Sequence, residues 1–226
     1  MVNLNGFFSA FFNPDIAARY LPDIIKGFWI TTGLGVATIV AGLILGLALA
    51  IARARQNMWL SGLIVAFADV FRALPPLVVI IMFYFALPYL GVSMSSFLST
   101  WLALTLVLAA FAEETYWSGI LALPKGQTEA ARSTGLSWFQ TMRLVVLPQA
   151  IRMTLAPLTN RVLAITKNTA LGSVVALSEI LNAAQAATSN AGNPTPLTLG
   201  ALAYLVLFGP MVMLARWLER SWQWRR

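Results

Sequence analysis

Five long apolar runs dominate the pattern along this chain, at about residues 24–52, 58–87, 97–123, 153–177 and 197–214. A helix needs roughly 20 apolar residues to cross a hydrocarbon core of about 30 Å, so each run is of spanning length. The pattern predicts an all-α fold with about five transmembrane helices, no soluble domain and no tandem repeat. The first run carries Thr38, Gly42, Gly46 and Ala50 four residues apart, a small-residue stripe on which another helix can pack closely. The second is interrupted at "FRALPP", where Pro75 and Pro76 remove two backbone donors. It reads as a helix over Met58–Phe71, completed by the stretch to Leu87. The last run predicts a kink at Gly209–Pro210. Between the runs lie a turn at "LPYLGVSMSS", a polar block at about 124–150, and "SEILNAAQAATSNAGNPTP", which reads as a polar loop.

Composition agrees with the pattern. Of 226 residues, 59% are hydrophobic and 10% charged, with a mean hydropathy of +0.77. A soluble domain carries about 25% charged residues, so this chain could not cover its surface in water. It is expected in a membrane as a single multi-pass domain. The absence of Cys and His excludes disulfides, thiol nucleophiles, histidine bases and most zinc sites. No catalytic or metal-ligating set is predicted. The net charge of +7 suits anionic lipid and does not call for nucleic acid. The first twenty residues show no cleavable signal pattern.

Lys and Arg set the orientation. Segments 53–72, 125–152 and 216–226 carry three, four and four of them, whereas 1–23, 88–96 and 179–196 carry only Arg19. The amino terminus is therefore expected outside, and the carboxyl terminus and the 124–150 block in the cytoplasm. Trp217, Trp222 and Trp224, among the terminal arginines, read as an interfacial anchor.

The 124–150 block reads as two short helices around a turn. Gly135 suits the left-handed position that ends the first. Ser137 and Gln140 have capping-box spacing for the second. Pro148 fits the first turn of a new helix or a bend before the fourth span. Glu129, Ala130 and Ala131 fall on the first helix, where two small side chains allow close approach and a carboxylate can meet an arginine. A connector needs only a few residues, so the block reads as a docking element.

Glu129-Ala130-Ala131, Gly135, Val145, Leu147 and Pro148 resemble the EAA loop of ABC importer permeases: EAA, three residues, G, nine residues, I, any residue, LP. Val145 stands where isoleucine is usual. "ADVFRALPPLVVIIMFYFALP", "LPKGQTEAA" and "LPQAIRMTLAPLTNRVLAITKNTALGSVVALSEIL" also resemble segments of the polar amino acid subfamily, whose substrates include histidine, glutamine, glutamate, arginine, lysine and opines. The similarity covers roughly positions 21–186. Departures are Asp69 for glutamate, Leu74 and Pro76 within the "TPL" pattern, Trp117 where arginine is usual, and Lys167-Asn168 for Lys-Asp.

The resemblance implies a type I importer permease of a bacterial inner membrane. It implies coupling through Glu129, Ala130, Ala131, Gly135, Leu147 and Pro148 to an ABC ATPase dimer, which would use ATP and Mg. It further implies a second permease subunit, identical or homologous, an extracytoplasmic solute-binding protein and an amino acid substrate. The chain has no P-loop of its own and binds no cofactor on this reading. The alternative is an ion-coupled secondary amino acid transporter, a class with more spans in repeated halves. An enzyme finds no visible chemistry here.

Glu113, Glu114, Arg161 and Lys167 are charges inside predicted spans. Glu114 lies about ten residues from its span's cytoplasmic end and Arg161 about ten into the next, so both come near mid-depth. Such charges pair or line an aqueous route. Two readings stand: an ion pair joining spans three and four, or a substrate pathway including Glu114, Arg161, Lys167 and Asn168. Asp69 and Arg72 read as an i, i+3 helix pair.

Overall fold

The computed structural model describes residues 4–55 and 57–223. Among these, every regular element is helical: α1 (Leu4–Phe11), α2 (Pro14–Arg53), α3 (Met58–Ala73), α4 (Pro76–Ile81), α5 (Ser96–Leu121), α6 (Lys125–Ser133), α7 (Trp138–Thr141), α8 (Leu147–Lys167), α9 (Ile180–Ala191) and α10 (Thr195–Gln223). Three helices are long and apolar enough to cross a membrane, five if each of two bent pairs counts as one span.

Proline chemistry shapes the bent segments. Asn57 opens α3 by accepting the Leu60 N–H, and Leu74 ends it in an extended conformation, as a residue before proline must. Pro76 then starts α4, where its missing N–H costs nothing. The helical stretches before and after this break differ in direction by 102°. The expectation of one span completed past the prolines becomes a sharp corner.

Five-residue π-turns precede Pro88 and Pro148 alike. They run over Met82–Ala86 and Met142–Val146, and the Leu87 and Leu147 amides reach back to the Met82 and Met142 carbonyls. A proline ring would collide with the carbonyl four residues earlier, and one widened turn relieves that clash. The second loop helix is therefore not an isolated short helix. From Trp138 the chain stays helical through the π-turn and α8 to a 3-10 stretch, Asn168–Val175.

The expected polar loop after it is wrong in part: it contains α9. Ile180, Ala184 and Ala187 are buried at the helical i, i+4, i+7 spacing, and this period outweighs the polar composition. Glu179 caps the start and Gly192, with φ of 60°, closes the end. At Gly209–Pro210, α10 runs on as one helix. Trp217 is largely exposed; the Trp222 side chain and Trp224 lie outside the described residues.

The chain divides into two compact units. Unit 1 comprises residues up to 38, 76–104 and 165–214. Its α1 is tied to the start of α10, where the Thr195 hydroxyl donates to the Ala10 carbonyl and accepts from the Asn13 N–H. A Cβ on Gly27 would lie 3.0 Å from the backbone of Glu179 and Ile180, so α2 and the start of α9 touch main chain to main chain. Unit 2 comprises 39–75, 105–164 and 215 onward. Its core gathers Ala50, Ala112, Tyr116 and Leu158. The small-residue stripe of α2 packs there on α5: a Cβ on Gly46 would lie 2.6 Å from Ala112 Cβ, and one on Gly42 2.8 Å from Leu108.

Candidate functional site

The 124–150 block lies wholly in unit 2. Its first helix, α6, ends with the Ser133 hydroxyl on the Glu129 carbonyl and the Thr134 hydroxyl on the Ala131 carbonyl. Gly135 follows with φ of 89°, in the left-handed region that side-chain-bearing residues resist. Ser137 then forms a reciprocal box with Gln140: each side chain meets the other's backbone N–H, at 3.3 and 2.8 Å. Both ends of the turn are thus fixed by local bonds. Glu129 and Ala130 are exposed, whereas Ala131 is buried. Neighbouring helical residues point about 100° apart. The two alanines therefore do not form one outward surface: Ala130 faces out and Ala131 packs in. Leu147 is half-buried and Pro148 exposed. The Arg55 guanidinium covers the Trp138 ring at 5.5 Å, tying the segment after α2 to the block.

A charge cluster occupies the same unit. The Arg53 guanidinium donates to Glu113 at 3.1 and 3.4 Å and lies 3.5 Å from Glu114. Arg72 reaches Glu114 at 3.2 Å and Asp69 at 3.9 Å. Arg53 also covers the Trp117 ring at 4.7 Å. Glu113 is fully buried. The expected i, i+3 pair of Asp69 and Arg72 is thus the longer of Arg72's two contacts, and the shorter joins α3 to α5.

The predicted ion pair between Glu114 and Arg161 does not form. Arg161 lies over the Phe111 ring at 4.7 Å, while Glu114 is held by Arg53 and Arg72. A guanidinium on α2 and another on α3 reach the carboxylate, and the arginine on α8 finds an aromatic face instead. Glu114 and Arg161 nevertheless line one open cleft of about 390 Å³, with Thr115, Ser118, Thr154 and Pro157. Lys167 and Asn168 belong to unit 1, at the junction of α8 with the 3-10 stretch; Lys167 is exposed and Asn168 half-buried.

Unit 1 holds a second polar centre, one that the sequence reading passed over as loop. Glu179 is fully buried. Its carboxylate accepts the Leu181 and Asn182 N–H groups at 2.9 and 2.8 Å and the Tyr204 hydroxyl at 2.6 Å. Beside it the Thr31 hydroxyl accepts the Ile180 N–H and donates to the Gly27 carbonyl. The sequence signal was an acid immediately before an apolar residue that opens an i, i+4, i+7 series. For the cluster, the signal was two adjacent acids inside a span, which call for cations at span ends; Arg53 and Arg72 are the cations. Among the described residues no group of three or more acidic, His or Cys side chains gathers as a metal site would require.

Residues 38–224 match the family described as "Binding-protein-dependent transport system inner membrane component". The chain is 33% identical over 205 residues to the probable glutamine ABC transporter permease protein GlnP of Bacillus subtilis (strain 168), covering 89% of this chain and 94% of that protein. It is 31% identical over 206 residues to the arginine transport system permease protein ArtQ of the same organism, covering 89% and 93%. Among solved structures, an amino acid ABC transporter crystallised with histidines superposes with a TM-score of 0.80 at 28% identity, covering 90% of this chain and 96% of that one. The MetNI methionine ABC transporter in an inward-facing conformation shares the fold, with a TM-score of 0.65 at 20% identity and coverage of 92% and 97%.

Proposed function

The chain belongs to the family of binding-protein-dependent transport system inner membrane components and is the membrane-spanning, non-enzymatic subunit of an ATP-driven amino acid importer; from that premise we propose how it couples and what lines its route. An ATPase and a solute-binding protein are its family partners. The ATPase supplies ATP and Mg chemistry from its own chain. It docks on the cytoplasmic face of the 124–150 block, with Glu129 and Ala130 as the contact surface and Gly135, Leu147 and Pro148 fixing its angle. Ala131 acts from beneath, by packing α6 onto unit 2.

One observation carries this reading: the turn between α6 and α7 is fixed at both ends and the block runs on from α7 as helix into α8. A push on α6 and α7 is therefore delivered along a helical path toward Arg161, Lys167 and Asn168. Two permease subunits, identical or homologous, surround the route. The orientation is amino terminus outside and carboxyl terminus inside, as the Lys and Arg distribution supports.

Glu114 and Arg161 suit a zwitterion: one carboxylate and one guanidinium on a single cleft can meet an ammonium and a carboxylate. Lys167 and Asn168 are further candidate pathway residues, in unit 1. The Phe111 face holds Arg161 as a cation without a competing carboxylate.

The test is Glu129→Lys in the complete transporter reconstituted in liposomes. Lysine presents like charge to a partner's arginine and repels it. Membrane insertion is expected to be normal, with the co-purified ATPase and its substrate-stimulated hydrolysis reduced about tenfold or more, as for loss of an interfacial charge pair. Unchanged coupling would remove the docking role.

A further inference from the structure

Glu114 lines the open cleft together with Arg161, yet its carboxylate is already held by two guanidinium groups. Arg72 lies 3.2 Å away and Arg53 3.5 Å away, both on Oε2. An ammonium entering the cleft therefore meets an occupied acid. The carboxylate has lone pairs to spare, but a third cation beside it is repelled by the two already there. One of the two must give way.

The two arginines are held differently. Arg53 makes its shorter contacts to the fully buried Glu113, at 3.1 and 3.4 Å, and lies over the Trp117 ring. Its departure would strand Glu113 without a cation in the interior, which is costly. The Arg72 side chain is twice as exposed, 35% against 17%, and Arg72 is the last residue but one of α3. It has a second acid on its own helix: Asp69, three residues earlier, at 3.9 Å. That contact is long for an ion pair, and a change of side-chain rotamer can shorten it. Arg72 therefore has somewhere to go, and Arg53 does not.

We propose that Arg72 sets the affinity of the cleft by competing with the substrate's ammonium for Glu114. With the cleft empty, Arg72 sits on Glu114. When an amino acid enters, its ammonium takes Glu114, Arg72 passes to Asp69, and Arg161 meets the substrate carboxylate. One cation replaces another at Glu114, so no acid is left unpaired. The exchange also breaks the Arg72 link between α3 and α5, so that link reports whether the cleft is filled. The proposal rests on the cleft reading given above and adds to it the residue that opposes binding. Arg72 acts through Glu114 and is not itself a substrate ligand.

The experiment is isothermal titration of the complete transporter in nanodiscs, without binding protein. The probes are L-glutamine, L-arginine and L-glutamate. Arg72→Gln should tighten binding of each probe that the wild type binds by about three- to fivefold, the worth of a partly exposed ion pair. Asp69→Asn should weaken it by about two- to threefold, because Arg72 loses its alternative seat. Arg72→Lys keeps the cation and should stay close to the wild type. In the double variant of Arg72→Gln with Asp69→Asn, the Asp69 substitution should have no effect, since no cation remains to be received. General damage to the fold weakens binding throughout and does not give opposite signs at two sites on one helix.

Unchanged or weaker binding in Arg72→Gln would overturn the proposal, as would an equal effect of Asp69→Asn with and without Arg72. Glu114→Gln tests the cleft reading apart. Binding of wild-type strength in that variant, or no binding of any probe by the wild type, would remove the cleft as the site and the competition with it. Binding lost in Glu114→Gln but indifferent to Arg72→Gln would keep the cleft and refute the competition alone.

Discussion

Glu113 and Glu179 are the two fully buried carboxylates among the described residues, and the chain satisfies them in opposite ways. Glu113, in unit 2, is met by the Arg53 guanidinium, which also serves Glu114, while Arg72 serves Glu114 and Asp69. Glu179, in unit 1, pairs with no cation among the described residues: two backbone amides and one tyrosine hydroxyl fill its oxygens. In the first centre the partners are shared. Arg53 keeps Glu114 if Glu113 is lost, Arg72 keeps Asp69 if Glu114 is lost, and Glu114 keeps one guanidinium if the other is lost. In the second, two backbone amides and one hydroxyl, all held by the fold, converge on a single carboxylate. A shared network of long side chains can exchange partners without unfolding, whereas the Glu179 centre fixes the start of α9 against α2 and α10.

The largest expected effect follows from exhausting the shared network. Glu113→Leu together with Glu114→Leu leaves Arg53 without a carboxylate. Stranding a buried charge costs on the order of 3–5 kcal/mol, less here because Arg53 is 17% exposed and keeps the Trp117 ring. Glu113→Gln alone should cost only about 1 kcal/mol, because Glu114 and the Trp117 ring remain and the amide oxygen still accepts. Thermal unfolding in detergent, read by tryptophan fluorescence, separates the two. A single substitution as costly as the double one would mean that the partners are not shared.

The next effect tests the other centre. Glu179→Leu removes the cap of α9 and orphans the Tyr204 hydroxyl and two amides, for a loss of about 3 kcal/mol. Tyr204→Phe alone should cost about 1 kcal/mol, and adding it to Glu179→Leu should cost little more, since the hydroxyl has already lost its acceptor. Additive losses in this double-mutant cycle would show that the tyrosine draws its stability from elsewhere.

These two centres also mark where the sequence was readable. The block at 124–150 was legible because its determinants are local: Gly135, Ser137 and Gln140 act over three or four residues, and the structure places each as its spacing demands. The stripe of Gly42, Gly46 and Ala50 announced a close helix contact for the same reason. Partner choice across helices was not legible. Glu114 and Arg161 have matching depth in sequence and share a cleft, yet Arg53 and Arg72 hold the carboxylate, which only the packing of α2, α3 and α5 decides. Glu179 was missed because Asn, Ser and Gly dominate its surroundings by composition, while the buried period of Ile180, Ala184 and Ala187 is carried by three small or aliphatic side chains. The continuity of α7 with α8 was hidden by Pro148, whose usual meaning is a break; the preceding π-turn absorbs it.

The smallest effect expected concerns the lead-in to Glu179. Ala176 has φ of 57° and ψ of 29°, the one side-chain-bearing residue in the left-handed region among those described. Its N–H meets the Gly172 and Ser173 carbonyls, closing the 3-10 stretch three residues before the buried carboxylate. A non-glycine residue in this conformation costs about 1–2 kcal/mol. Glycine removes that cost but orders a freer chain, giving back roughly 0.5–1 kcal/mol. Ala176→Gly should therefore stabilise by about 0.5 kcal/mol, a rise of about 1–2 °C in melting temperature for a chain of this size. The gain depends on the segment being held in place from Glu179 onward. In a Glu179→Leu background the start of α9 loses its cap, Ala176 can relax, and the gain should vanish. A gain of equal size in both backgrounds would show that the 3-10 stretch alone imposes the strain, and would separate it from the Glu179 centre.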